Sequence, residues 1–409
     1  MFFGTFYGAK SPRAVLRKFF VKTFCFSLAK RDILCDNEYN KHLEGGVLME
    51  TVFQKNGGAK IQQMIAQAVE NGSRKAVVTG AYEIETSIRI PSDFLLVLEN
   101  CHLRMADGTF CNMFNNEHFG TEIGRTDAGT DRNITLQGSG FAILDGGEYN
   151  GLSERTSLKD GNPHISVNNL LLFTNVDGFT VKNIHCRNQR WWALNFIYCC
   201  NGKIQDIDFR SDNSWIDADG NRVFGRMSLD IKHDYNSIYV KNSDGIDLRC
   251  GCHDILIENI TGFTEDDTIA LTALNGTMEK MYRVEGRSPD IHNIIIRNVM
   301  SAALCSNIRL LNQGEIKLYN VLIDGMIDTT VDSPYLERGS IGIRVGDSRN
   351  MYGSRHATAD ETFNITIRNV MSRAETVLHL AGGIKNLTLD NIQGFDGYTT
   401  LIENNAQLV

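Results

Sequence analysis

From about residue 130 onward, apolar and polar residues alternate in short runs, and each run closes on Asn or Asp followed by one more apolar residue. The unit reads Gly178-Phe-Thr-Val-Lys-Asn-Ile184, Asn201-Gly-Lys-Ile-Gln-Asp-Ile207, Asp254-Ile-Leu-Ile-Glu-Asn-Ile260, Asn293-Ile-Ile-Ile-Arg-Asn-Val299, Asn364-Ile-Thr-Ile-Arg-Asn-Val370 and Asn386-Leu-Thr-Leu-Asp-Asn-Ile392, with a shorter copy at Asn133-Ile-Thr-Leu136. Alternation of period two over so few residues predicts strands, not helices. The units starting at 178 and 201 lie 23 residues apart, and those at 364 and 386 lie 22 apart. Strands recurring at that interval predict an all-β fold, a stacked parallel β-helix in which no single rung buries its inner face alone. Turn asparagines at equivalent places are expected to bond to one another as a ladder along the axis. Insertions at 211–235, 275–291 and 328–360 interrupt the period and predict loops rising from one face. Their charged residues, such as Asp217, Arg222, Asp347 and Arg355, read first as solvated loop.

Ahead of the repeats, Gly57-Gly58-Ala59-Lys60 leads into Ile61-Gln-Gln-Met-Ile-Ala-Gln-Ala-Val69, whose apolar spacing is helical. A short N-terminal helix covering the open end of the solenoid is predicted, with first strands over 77–84 and 87–98. Residues 1–48 are basic early on (Lys10, Arg13, Arg17, Lys18, Lys22) and lack the repeat. They read as a poorly ordered extension ahead of a β-helix domain over 49–409, with Met49 as its natural beginning. The apolar stretch from Phe19 to Ala29 is broken by Lys22 and has no clean small-residue cleavage site after it, so a cytoplasmic location is expected.

The chain has 409 residues, 42% of them apolar and 22% charged, enough for a sizeable core. A net charge of −8 argues against nucleic acid as a partner. No apolar run approaches the roughly 18 residues of a membrane helix, so no membrane partner is expected either. The ten cysteines show no paired-ligand spacing, and Cys199-Cys200 and Cys250-Gly-Cys252 are too close for easy disulfides. They read as reduced and buried, with no metal and no cofactor implied. None of these features sets the oligomeric state.

Chemistry concentrates in three acids. Asp244 precedes Asp266 and Asp267 by 22 and 23 residues, and each site opens an apolar run: Asp244-Gly-Ile-Asp-Leu248 and Asp266-Asp-Thr-Ile-Ala-Leu271. That interval is one coil. Strands in register lie roughly 4.8 Å apart, so three carboxylates would crowd onto one face. Mutual repulsion raises the pKa of at least one of them, which suits general acid/base work near neutral pH. Asp247, in the same stretch, reads instead as a turn former or ladder member.

With these motifs the chain resembles the polygalacturonase-like glycoside hydrolases of family 28, over roughly residues 50–405. Asn242-Ser243-Asp244-Gly245 is similar to the family's Asn-Thr-Asp-Gly motif, Asp266-Asp267 to its paired aspartates, and the stretch 163–209, with Arg190-Trp-Trp-Ala-Leu-Asn-Phe196, to the two coils before them. The resemblance implies a single-stranded, right-handed parallel β-helix of the pectin lyase-like kind. It also implies an inverting hydrolase acting on a plant-type, pectin-like oligo- or polysaccharide. Asp266 would be the general acid, with Asp244 and Asp267 holding the attacking water.

Two motifs depart from the family. Aligning Thr268-Ile-Ala-Leu271 on Asn307-Ile-Arg-Leu310 puts Ser306 where the family carries a histidine. Gly342-Ile-Arg-Val-Gly346 keeps the arginine of the family's Arg-Ile-Lys as Arg344 but has Gly346 for the lysine. In the family the arginine and lysine are associated with the substrate carboxylate, so the loss of the lysine and the altered surroundings point to a different sugar or linkage. Arg344, Arg309, Ser306 and Trp192 are the expected substrate-binding residues, Arg309 because it shares a strand face with Ala270 and Trp192 as a sugar-stacking platform. His164, His185, His253 and His292 match no motif. Two competing readings use the same scaffold: a polysaccharide lyase or epimerase, and a non-catalytic carbohydrate-binding β-helix.

Overall fold

The computed structural model describes residues 51–147, 168–189, 192–211, 214–216, 222–224, 244–330, 339–346, 352, 355–395 and 402–409. The expectations placed on residues 1–48, on Trp191, His164 and Asp347, on the Asn242-Ser243 pair and on most of 211–235 lie outside these residues.

A helix α1 (Gly57–Glu70) comes first, followed by strands β1 (Lys75–Ile84), β2 (Ile88–Ile90), β3 (Leu95–Met105), β4 (Phe114–Asn116), β5 (Asp131–Asp145), β6 (Leu171–Thr174), β7 (Val176–Arg187), β8 (Trp192–Ile197) and β9 (Cys200–Arg210). A small antiparallel pair, β10 (Ser214–Ile216) and β11 (Arg222–Phe224), stands apart. The stack resumes with β12 (Asp244–Arg249), β13 (His253–Thr264), β14 (Ile269–Ala273), helix α2 (Thr277–Met281), β15 (Ile291–Ala303), β16 (Ser306–Asn312), β17 (Leu318–Asp328), β18 (Ile341–Val345), β19 (Thr362–Ser372), β20 (Thr376–Gly394) and β21 (Ile402–Leu408).

Nineteen strands pair in parallel, each with its equivalent one coil away, which is the right-handed parallel β-helix that the repeats predict. One series runs β1, β3, β5, β7, β9, β13, β15, β17, β19; the other runs β2, β4, β6, β8, β12, β14, β16, β18, and β20 turns a corner to join both. The inner face is aliphatic because alternate residues point inward. Ile246, Ile269, Ile308 and Ile343 stack in register, as do Leu248, Leu271, Leu310 and Val345, and all are buried. Lower in the stack, Phe196 lies 4.7 Å from Phe179 in a stacked pair and 6.0 Å from Phe173 edge-on.

The predicted asparagine ladder is present. Asn293, Asn320, Asn364 and Asn386 each donate a side-chain N–H at 2.9 Å to the residue one coil earlier, the first of them to Asp254. Each adopts φ between 54° and 56°, the left-handed region that asparagine tolerates better than other side chains.

At the N-terminal end α1 puts Ile61 and Ile65 into the core. It starts at Gly57, earlier than the apolar spacing suggests, and glycine is needed there because a Cβ would lie 2.6 Å from Tyr82 Cβ. The run expected over 87–98 is split between β2 and β3 by a turn at Pro91–Asp93. From Val52 onward the chain forms one unit. All eight cysteines among the described residues are free, six of them buried.

The segment 275–291, expected as a loop, folds back toward earlier coils. Tyr282 stacks on Phe119 at 5.2 Å, and the Glu285 N–H donates to the Arg125 carbonyl at 3.0 Å. Arg287 donates to Asp127, Asn175 and Thr130 at 2.7–2.9 Å. This anchoring fixes α2, which carries Glu279 to the strand face described next.

Candidate active site

The second strand series presents its outer face as columns of side chains one coil apart. The pairing places Asp244 beside Trp192, Asp247 between Asn195 and Ala270, Ala270 beside Arg309, and Arg309 beside Arg344, with His379 next. The predicted alignment of 268–271 on 307–310 is therefore the observed register. Asp244 and Asp267 are joined directly: the Asp267 backbone N–H donates to Asp244 Oδ1 at 3.2 Å. The adjoining strands tie in through Gly245 N–H to the Asp267 carbonyl at 2.9 Å. Asp244 and Asp267 are buried, whereas Asp266 is half-buried.

Asp247 is a correction to the sequence reading. It is no turn former but lies in the middle of β12, 1% exposed, and shares the field of the other three acids. Arg249, two residues on, lies 3.5 Å from Asp247 Oδ1 through Nη2 and donates to Glu279 Oε1 at 2.8 Å through Nη1. Both arginine and glutamate are buried, so this pair is shielded from solvent screening. The acid cluster is thus four carboxylates with the Arg249 cation against Asp247.

Burial comes first among the causes that push the Asp244 carboxyl well above its ordinary range, and the negative fields of Asp266, Asp247 and Asp267 add to it; Arg249 pulls the other way. Asp247 is pushed up from 3.8 to about 7, again by burial first, with Arg249 offsetting part of the effect. The cluster therefore retains protons at pH values where an exposed aspartate has lost them.

A carboxyl raised in the folded state contributes most below its unfolded value, and that contribution is lost as pH rises through about 7. Asp145 has the opposite sign: His102 holds it down at about 2 against the effect of burial, so its contribution is lost as pH falls below the ordinary aspartate range. Thermal stability is expected to be highest at about pH 4, where the Asp145 contribution is complete and the loss from Asp247 has not begun. Asp247→Asn should flatten the decline between about pH 4 and 7 in melts recorded across that range; an unchanged decline would remove Asp247 as its source.

Arg309 points into the cluster. Its Nη1 lies 3.3 Å from Asp267 Oδ2, and its guanidinium sits 5.6 Å from the centre of the Tyr352 ring. Strand alternation alone left its direction open. Cys305 is a further group that sequence reasoning passed over. Its Sγ and the carboxylates of Asp266 and Asp267 lie within 4.8 Å of one another, and burial pushes its thiol well above the ordinary cysteine range.

Two expected binding residues are not placed to touch substrate. Ser306 is in register with Ile341 and fully buried beneath the face. Trp192 is 8% exposed, with the Arg249 guanidinium 3.9 Å from its ring centre, so that face of the indole is occupied by a cation and not open to a sugar.

Gly346 explains its own departure from the family pattern. It has φ of +71°, and a Cβ there would lie 2.1 Å from the Ala381 carbonyl oxygen. A lysine cannot be accommodated without moving backbone. Gly346→Lys is expected to destabilise the fold by at least about 2 kcal/mol and not to improve binding of uronates, as denaturation and titration calorimetry would show. A stable, tighter-binding variant would refute this.

The sequence model of the glycosyl hydrolases family 28 matches residues 83–288, half of the chain. The chain belongs to that family. The matched stretch includes Asp244, Asp266 and Asp267 and ends before Ser306, Arg309 and Arg344. Among solved structures, a hyperthermoactive exopolygalacturonase from Thermotoga maritima is similar at 12% identity and a TM-score of 0.57, with 86% of each chain covered. The polygalacturonase from Erwinia carotovora ssp. carotovora is similar at 13% identity and a TM-score of 0.51, covering 88% of this chain and 96% of that one. At such identities the likeness is one of fold. No curated protein matches the chain.

Proposed function

We propose that this protein is an inverting glycoside hydrolase acting on a pectin-like, uronate-containing oligo- or polysaccharide. The observation that carries the reading is the cluster of four carboxylates on adjacent coils, buried enough to retain protons and flanked by Arg309 and Arg344. Glycoside cleavage by inversion needs a protonated acid at the leaving oxygen and an ionised group that activates water on the opposite face. Asp266, the one member of the trio that is half exposed, donates its proton to the glycosidic oxygen as the bond to the anomeric carbon breaks. Asp244 and Asp267 orient the water, and one of them takes its proton as the new C–O bond forms. The Asp267 N–H holds the Asp244 carboxylate in place for this.

The arginine pair supports the substrate class. Arg344 stands where the family has its arginine, and Gly346 offers no amine. Arg309, in register one coil nearer the acids, supplies a second cation instead. Two guanidinium groups side by side suit a carboxylate, which they bind through paired N–H donors. The uronate ring would then sit closer to the acids than an arginine–lysine pair would hold it.

A reducing-end assay over a panel of pectic and neutral oligosaccharides tests this, with proton NMR of the fresh product. Release of an inverted anomer from uronate-containing glycans is the expected result. Products carrying a new double bond would instead favour a lyase. Binding without release from any glycan would favour a carbohydrate-binding module.

A further inference from the structure

On the first strand series, one column of side chains changes character from coil to coil. Cys200, His253, His292, Tyr319 and Phe363 lie in register. Their rings form a continuous stack: His253 on His292 at 4.8 Å and 7°, His292 on Tyr319 at 4.8 Å and 14°, Tyr319 on Phe363 at 4.7 Å and 7°. A stack of this kind needs only ring faces, which Tyr and Phe supply. The two histidines add nitrogen lone pairs, and they do so beside a carboxylate.

That carboxylate is Asp254. Its φ of 56° turns the side chain back across the strand, so that Oδ2 lies 2.7 Å from His253 Nδ1 while Oδ1 accepts the Asn293 side-chain N–H at 2.9 Å. Nδ1 of His292 is buried and closes no hydrogen bond of normal geometry. One donor atom from each of His253, Asp254 and His292 lies within 4.8 Å of the others. Two imidazoles and a carboxylate are ligands that suit zinc and its neighbours in the transition series. With Zn–N bonds of about 2.0–2.1 Å, two nitrogens on one ion stand no more than about 4.2 Å apart. Because the two rings lie within 7° of parallel, one imidazole turns out of the stack to bring both nitrogens onto a single ion. Cys200, next in the column, is turned to Asp177, its Sγ 3.5 Å from Oδ1, which leaves the remaining coordination positions to water.

We propose that His253, Asp254 and His292 form a binding site for a borderline divalent metal ion, with Zn2+ as the ion to test. The location gives the site a role. His253 opens β13, which follows β12 and its Asp244 and Asp247; His292 lies at the start of β15, in the coil that follows Asp266, Asp267 and β14. An ion held by both histidines pins together the two coils on which the acid cluster depends, from the opposite strand series. It takes no part in the chemistry.

The experiment uses full-length, untagged protein in a non-chelating buffer, titrated with Zn2+ by calorimetry and with Co2+ by visible absorption. One ion per chain is expected, with d–d bands on the cobalt form and a rise of several degrees in melting temperature. His292→Phe keeps the aromatic stack but removes a donor, so it should fold and lose at least tenfold in affinity, as should His253→Phe. Glu117→Ala, at the separate His118–Asp131 pair, should leave binding unchanged. No uptake by the unmodified chain overturns the proposal. Uptake that survives both histidine substitutions overturns it equally, since the ion would then be bound elsewhere.

Discussion

Replacing Asp266 with asparagine is expected to lower kcat for glycan hydrolysis by about a thousandfold, within the 10²–10⁴ range that a positioned general acid supplies. Asparagine matches the carboxyl in shape and donates a hydrogen bond, but it has no proton to transfer. Binding should change little, so the loss should fall on kcat more than on KM. A substrate with an activated leaving group, such as a nitrophenyl glycoside of the same sugar, needs less protonation and should lose less. Turnover within about tenfold of the unmodified protein on both substrates would remove Asp266 as the acid. Equal losses on both would point to a positioning role instead.

Truncating Phe196 to alanine is the stability change with the largest expected effect, about 3–5 kcal/mol. Phe196 is fully buried and makes both a stacked and an edge-on contact with neighbouring rings. Its deletion leaves a void in a rung that has little freedom to collapse, because each coil is held by the coils on either side. Phe196 also pairs in register with Leu248, two residues before which lies Ile246 at the foot of the acid cluster. Chemical denaturation should show the midpoint falling sharply. A change below about 1 kcal/mol would mean that the coils close over the gap.

The solenoid was legible because it repeats. Six copies of a strand ending in Asn or Asp and then Ile or Val declare both the period and the turn, and the left-handed φ at those positions is the physical reason for the residues chosen. The acid trio was legible for the same reason, since one coil of spacing becomes one strand of separation. What escaped were features set by contacts between distant parts. Trp192 reads as a sugar platform until Arg249, 57 residues later, is found against its ring. Asp247 reads as a turn former or ladder member until Arg249 is found against it, held in turn by Glu279 from an inserted segment with no repeat to align. Gly346 reads as a lost lysine, and only the approach of the Ala381 carbonyl shows that the backbone excludes a side chain there.

The inserted segment 275–291 has a mechanical consequence. A solenoid whose coils touch only their neighbours is linked in series and can unzip one coil at a time from a frayed end. Arg287 reaches back to residues 127, 130 and 175, so the coils between are also fastened in parallel. Under tension from the C-terminal end, β21 back to β15 can peel off singly. Everything from β5 to β14 must then yield as a block, and that block contains all four acids.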